Sequence, residues 1–358
     1  MEITTRNIYN QVNLPFTEEY MRKVVIDFIA MTTECDKYIP MYPENFEPYK
    51  AFYSFLKTNN TKGISVSNEI DDLNKRILNT SIENGTYNPV INNGQEVYPI
   101  TGNQLGWYTY QSWHLSNDKR YHSGEISHRF YINANSSDVP KFIVLLKEKF
   151  EERNMTYYFK VSNGTVMGNI QKDGIVIYSS TENLDKNLEV LGEIEKEFPE
   201  FIKNCGEPHR FCGNINGWLG YANETKGKKN SYTGLMSKVM FESFETCVLN
   251  WINKNPDITI GSEKIKLSQY FNGSILTSET MECFVRYIKR LGYLISIIPK
   301  YDNTFKSELY EIIKDNLTKQ DIDINNICFN FDVLGEINNY NYLQEQNQST
   351  INVDNVIK

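Results

Sequence analysis

The chain has 358 residues, 40% of them hydrophobic and 13% aromatic, which supports a packed core in one large or two smaller domains and excludes a disordered chain. Its formal charge of -8 lacks the basic excess that binds nucleic acid by counterion release. No apolar run approaches the ~20 residues of a membrane span, and Met1 to Asn7 lacks a basic segment followed by an apolar one; a cytoplasmic location away from membranes is expected.

Residues 1–95 read as a helical N-terminal part. Thr17 stands before Glu18-Glu19 as a helix cap. Met21, Val24, Val25, Phe28 and Ile29 follow at helical spacing, and Tyr49 to Leu56 resumes the pattern after prolines 40 to 48. Residues 79–104 are dense in Asn, Gly and Pro and read as a loop and boundary.

Residues 96–255 read as alternating strands and helices. Trp107 to Tyr110 is the first strand, and 128–134 the second. Val139-Pro140 opens a helix whose core face is Phe142, Ile143, Leu145, Leu146 and Phe150. Strands follow at 157–162, 165–170 and 175–179, with Asn163-Gly164 as a hairpin signal between the first two. Leu184 to Phe198 is helical, and 211–221 is glycine-bearing and strand-like. Ser231 to Asn253 is a long helix with Met236, Val239, Met240, Phe244 and Val248 on one face. Residues 256–338 form a helical C-terminal part, with helices at 280–297 and 304–317, and the Asn- and Gln-rich 339–358 is a flexible tail. The fold class is α+β, a central antiparallel-rich sheet flanked by helices.

Six cysteines are spread along the chain, and none forms a Cys-x-x-Cys pair. Free buried thiols of a reducing compartment are expected. Cys205, His209 and Cys212 are spaced like metal ligands, but a fourth ligand is missing nearby; buried cysteines without metal are the expectation. The chain holds no phosphate-binding Gly-x-x-x-x-Gly-Lys-Ser/Thr loop, no His-Glu-x-x-His and no Gly-x-Ser-x-Gly.

The chemistry concentrates between His114 and Tyr178. That stretch carries His114, His122 and His128, three of the four histidines. In Ser127-His128-Arg129-Phe130-Tyr131-Ile132-Asn133-Ala134, period two puts Arg129, Tyr131 and Asn133 on one face of a strand. Phe130, Ile132 and Ala134 take the other. Lys160 and Tyr178 end later strands in the same way, and Lys172-Asp173-Gly174 precedes the last. Cations and phenols on adjacent strands make an anion site in a chain that is acidic overall. Each has a plain structural reading too: Lys160 a solvated edge lysine, Arg129 and Tyr131 a buried hydrogen-bond network, His114 and His122 loop histidines.

Over about residues 105–255, the order His128-Arg129-Phe130-Tyr131-Ile132-Asn133, helix, Tyr158-Phe159-Lys160-Val161, Lys172-Asp173-Gly174-Ile175-Val176-Ile177-Tyr178, then Gly217-Trp218-Leu219-Gly220-Tyr221-Ala222 and Ser231-Tyr232 resembles the HopA-type effector domain. That domain also occurs as the lyase of thioviridamide and class V lanthipeptide biosynthesis. It is distantly similar to the phosphothreonine lyases of the OspF and SpvC type. The resemblance implies a metal- and cofactor-free β-elimination of phosphate from phosphoserine or phosphothreonine, giving dehydroalanine or dehydrobutyrine. The partners implied are a phosphorylated peptide substrate and a kinase acting first.

Those lyases read Lys-Phe-His-Ile on the first strand, whereas this chain reads Arg129-Phe130-Tyr131-Ile132. Arginine stays protonated, so Arg129 is an anion ligand rather than a base. Lys160 resembles the second site lysine and becomes the base; the acid is Tyr131 or His128. Lys172, Tyr178, Arg210 beside His209, and Lys226, Lys228 or Lys229 are candidate phosphate ligands. The alternatives are a non-catalytic effector or peptide-binding module with the same anion face, and delivery into a host cell in place of a cytoplasmic role.

Overall fold

The computed structural model describes residues 3–38, 47–62, 65–83, 90–92, 95–97, 100–104, 107–112, 126–162, 165–166, 169–224, 231–255, 281–300 and 302–356. In chain order, the first part holds helices α1 (Ile8–Gln11), α2 (Glu18–Thr33) and α3 (Tyr49–Leu56), strand β1 (Thr58–Lys62), helix α4 (Ser67–Glu83), and strands β2 (Val90–Asn92), β3 (Gln95–Val97), β4 (Ile100–Gln104) and β5 (Trp107–Gln111). The middle holds β6 (His128–Ile132), α5 (Val139–Glu152), β7 (Tyr158–Ser162), β8 (Thr165–Val166), β9 (Asn169–Gln171), β10 (Ile175–Ser179), α6 (Leu184–Glu197) and α7 (Pro199–Asn204). The last part holds β11 (Gly213–Ile215), β12 (Leu219–Asn223), α8 (Tyr232–Lys254), α9 (Met281–Ile297), α10 (Phe305–Thr318) and α11 (Phe331–Val356). The fold is α+β, as expected. Among the described residues no helix is long and apolar enough to cross a membrane.

Residues 1–14, 57–229 and 328–358 cluster as one compact unit, and 15–56 with 230–327 as another. The grouping is discontinuous, unlike the chain-order division at 95, 255 and 338. Helices early and late in the sequence pair with one another, and no local pattern announces such pairing.

The first unit is built on a seven-stranded sheet in the order β11-β12-β6-β10-β7-β5-β4, antiparallel throughout. Its registers align Phe130 with Ile177 and Tyr221, and Ile177 with Phe159. Phe159 in turn pairs with Tyr110. These residues and their period-two neighbours Ile132, Ile175, Val161, Tyr108 and Leu219 all belong to one buried cluster. Helix α5 covers it with Phe142, Ile143, Leu146 and Phe150, as the spacing predicts, and α6 adds Leu184, Leu188 and Leu191. Burying each such side chain stabilises by about 1.5–3 kcal/mol. Val333 and Ile337 join the same cluster, so α11 starts anchored; the helix continues to Val356 where a flexible tail was expected.

Residues 79–104 also differ from expectation. Helix α4 runs to Glu83, and β2, β3 and β4 follow. These strands are three to five residues long, too short to show a period between dense turn residues. Asn163-Gly164 lies outside the described residues, and the strands it was expected to join do not pair. β7 pairs with β5 and β10, while β8 pairs with β9 in a three-stranded sheet with β1.

The second unit packs helices around α8. Thr17 caps α2 through the Tyr20 amide at 3.1 Å, and Ser231 caps α8 through Gly234 at 3.3 Å. Met236, Val239, Met240, Phe244 and Val248 of α8 are all buried, the face read from the sequence. Phe28 of α2 meets Phe244 at 4.6 Å and Phe52 of α3 at 5.3 Å. α9 approaches α2 so closely that a Cβ on Gly292 would stand 2.0 Å from Thr32 Oγ1. Thr32 is itself buried and bonded to the Ile29 carbonyl, so it cannot swing away.

Two helical glycines therefore respond oppositely to the same change. Gly192→Ala in α6 meets nothing within 4 Å and should raise stability by up to about 1 kcal/mol through helix propensity. Gly292→Ala should lower it by about 1–3 kcal/mol, because overpacking outweighs that gain. Urea unfolding midpoints of the two variants against the parent measure both signs.

Candidate functional site

Alternation along the sheet places a second set of side chains on the face opposite the core. Register pairs Arg129 with Tyr178 and Ala222, Tyr131 with Val176 and Gly220, Val176 with Lys160, and Lys160 with Thr109. Arg129, Tyr131, Lys160 and Tyr178 thus share one face of three neighbouring strands, β6, β10 and β7. Arg129 lies with its guanidinium carbon 4.7 Å from the centre of the Tyr178 ring. Lys160 Nζ stands 5.9 Å from the same ring and 4.4 Å from the Trp107 indole. The Tyr158 ring lies tilted beside that of Tyr178, with centres 4.6 Å apart.

The face is partly roofed by the segment that follows α7. Asn133 Nδ2 donates to the Glu207 carbonyl at 2.7 Å, and the Gly206 amide donates to Asn133 O at 2.9 Å. Gly220 lets this segment descend. A Cβ there would stand 2.8 Å from Cys212 Sγ and from Pro208 Cβ. His209 is thereby buried with its ring edge-on to Tyr131 at 4.9 Å. Arg210 follows it, half-buried.

Beneath the roof sits an ion pair invisible to local sequence reading. Lys57 Nζ lies 2.8 Å from Asp173 Oδ2, and the side chains are only 11% and 5% exposed. Lys57 Nζ is also 5.3 Å from the Trp107 ring. The Lys172 amide donates to the Lys57 carbonyl at 2.7 Å, tying the turn before β10 to the start of β1. Burial alone would raise the Asp173 carboxyl, but the adjacent Lys57 ammonium, with help from His209 and Lys160, holds it below the usual carboxylate range. Burial pushes His209 down to about 4, aided by the positive charges of Lys57 and Lys172 and opposed by Asp173. His209 is a neutral imidazole at pH 7. Burial raises Tyr158, which remains a phenol, with Tyr178 adding to the rise and Arg129 opposing it.

A second carboxylate enters from the end of β12. Glu224 pairs through Oε2 with Nε of Arg129, both largely buried. The face thus carries two ion pairs, Lys57 with Asp173 and Arg129 with Glu224, beside Lys160.

The sequence candidates separate as follows. Arg129, Tyr131, Lys160 and Tyr178 are brought together, with Lys172 close enough to act on His209. His128 is not. Period two turns it to the core face, where it is fully buried between Tyr221 OH at 2.6 Å and Thr181 Oγ1 at 3.0 Å. A role beside Tyr131 is therefore corrected to a structural one. His114, His122, Lys226, Lys228 and Lys229 lie outside the described residues. Lys57, Asp173 and Glu224 were missed. Asp173 was visible only as part of a turn, and Lys57 and Glu224 carry no motif.

All six cysteines are free thiols. Cys212 Sγ donates to the His209 carbonyl at 3.1 Å and Cys205 Sγ to Phe201 O at 3.4 Å, and burial raises both thiols, Cys205 to about 12. Among the described residues no His, Cys, Asp and Glu group forms a metal cage. A cavity of about 400 Å³ lined by Leu188, Glu189, Glu193, Ile215 and Trp218 shares none of the cationic residues, and its glutamates do not suit an anion.

No protein-family description matches the chain, and no curated relative does. Similar solved structures include two effector proteins. The effector protein from Pseudomonas syringae pv. tomato strain DC3000 shares 10% identity at a TM-score of 0.43, over 87% of this chain and 99% of that one. The effector protein from Pseudomonas syringae pv. syringae strain 61 shares 10% identity at 0.41, over 88% and 99%.

The buried imidazole makes stability pH-dependent. The ordinary value for histidine is 6.5 and the folded value about 4, so between them the unfolded chain binds more protons than the folded one. Stability from this group is complete above about pH 6.5 and falls as pH drops toward 4, by on the order of 3 kcal/mol at about 1.4 kcal/mol per unit. Urea midpoints at pH 7.5 and 5 should therefore differ more for the parent than for His209→Gln. Equal differences would place His209 in contact with water.

Proposed function

We propose that the chain is a phosphoserine or phosphothreonine lyase, removing phosphate from a phosphorylated peptide by β-elimination to leave dehydroalanine or dehydrobutyrine. The observation that carries this reading is the convergence of Arg129 and Lys160 on the Tyr178 ring, on one face of the sheet.

The reaction needs a base for a weakly acidic α-proton and fixed positive charge where negative charge develops. Lys160, as the neutral amine, takes the α-proton. The electrons of the Cα–H bond form the Cα=Cβ bond, and the Cβ–O bond breaks with its pair leaving on phosphate. Arg129, permanently protonated, binds the phosphate oxygens, with Lys172 and Lys57 adding field. Tyr131 stands on the same face and can donate its phenolic proton to the departing phosphate. His128 has no part. The resemblance noted in the sequence supports the same chemistry and extends it to ribosomal peptide maturation, with a partner kinase supplying the phosphorylated residue. A non-catalytic phosphopeptide-binding module is favoured by a separate observation: Arg129 and Lys57 are each already paired with a carboxylate.

Mass spectrometry of a phosphothreonine peptide incubated with the protein in the presence of a chelator distinguishes the readings. Loss of phosphoric acid supports the lyase. Phosphate release with a restored hydroxyl means hydrolysis and overturns it, and binding without change of mass leaves the module. Lys160→Ala should cut elimination on the order of a hundredfold to ten-thousandfold while peptide binding stays measurable, because affinity is shared among several cations. Lys172→Ala should lose binding at least as much as turnover. Near-normal turnover in Lys160→Ala would make it a surface lysine.

A further inference from the structure

Glu224 has no role in the proposed elimination, and a carboxylate beside a phosphate site repels the phosphate. Its placement is nevertheless well determined. The residue is 7% exposed, and its amide donates to the Ser127 carbonyl at 2.9 Å, fixing it beside the start of β6. Its Oε2 pairs with Nε of Arg129, while the guanidinium plane rests on Tyr178 at 4.7 Å. One edge and one face of the guanidinium are thereby committed. Because the group is planar and rigid, the edge bearing Nη1 and Nη2 turns away from Glu224, and these carry four of its five N–H donors.

We propose that Glu224 is a positioning residue that aims Arg129, presenting the Nη1–Nη2 edge as a two-pronged donor to the phosphate of the substrate. Resting on the anion-face reading above, the assignment adds what orients its main ligand. Arg129 extends from a central strand whose position is set by the sheet, but its side chain alone has many rotamers. The Glu224 contact and the Tyr178 ring reduce these to one before phosphate arrives. A bidentate fork then forms without the loss of side-chain freedom that an unrestrained arginine would suffer. The repulsion from Glu224 is offset by that orientation.

Three substitutions in the full chain separate orientation from charge, with inorganic phosphate and a phosphothreonine peptide as probes in titration calorimetry. Glu224→Gln keeps an oxygen acceptor for Nε and removes the repulsion, so phosphate should bind at least as tightly as in the parent. Glu224→Ala removes both and should bind about tenfold more weakly than Glu224→Gln, the scale of one charge-assisted hydrogen bond. Glu224→Asp keeps the charge but withdraws the carboxylate by one methylene, and should also bind more weakly than Glu224→Gln; it carries the comparison if the alanine variant does not fold. The effect on turnover should appear in KM for the phosphopeptide, not in kcat. Equal phosphate affinity in the Gln, Ala and Asp variants would overturn the assignment. So would loss of kcat in Glu224→Gln with binding intact, which would make Glu224 the proton acceptor. Arg129→Ala is the control on the underlying reading: unchanged phosphate binding there means that this face is not the anion site, whatever Glu224 does.

Discussion

The register of β6 is the constraint on which the first unit depends. The strand lies at the interior of the sheet, between β12 and β10, and both of its faces are covered. Phe130 and Ile132 pack under α5 and α6, whereas Tyr131 lies beneath the His209 segment. A slip of one residue would drive Arg129 and Tyr131 into the apolar cluster and lift Phe130 and Ile132 among the charges. Every neighbouring strand reads its own alternation against this one. The core and the candidate site are therefore two consequences of a single register.

Two buried carboxylates sit on the polar face, and their desolvation is costly unless each is paired. Asp173 meets Lys57 at 2.8 Å, and Glu224 meets Arg129. Removing one member of such a pair typically costs about 3–5 kcal/mol, since the other charge is stranded. The arrangement is thus a source of specificity more than of net stability. It compels the turn before β10 and the start of β1 to lie together, and Gly220 compels the His209 segment to lie close above β12. The neutral state of His209 follows from that closeness, because burial among lysines opposes a further positive charge.

Much of this was legible from sequence. Period two along 128–134 gave the correct faces for Arg129, Phe130, Tyr131 and Ile132, and Val139-Pro140 marked the start of α5 at Val139. The face of α8 followed from its spacing. These features are local, and local periodicity reports them. The same periodicity, applied to residue 128, already turned His128 away from Arg129; chemical type had outweighed geometry in its nomination. Lys57, Asp173 and Glu224 could not be found, because their partners lie far along the chain and no spacing encodes such pairs. The discontinuous grouping of residues 15–56 with 230–327 escaped for the same reason. The short strands β2 to β4 escaped for another: three residues do not establish a period.

The aromatic residues of the polar face explain how cations can be held there and stay useful. A carboxylate partner stabilises a buried lysine or arginine by cancelling its charge. An aromatic face stabilises it by about 0.5–2 kcal/mol through the ring quadrupole and leaves the net charge intact. Lys160 rests on Trp107 and Arg129 on Tyr178, and Lys57 lies near the Trp107 ring as well as beside Asp173. Arg129, Lys160 and Tyr178 are carried by strands rather than loops. In a chain of net charge -8, the register of one sheet thus gathers Arg129 and Lys160 onto a single face.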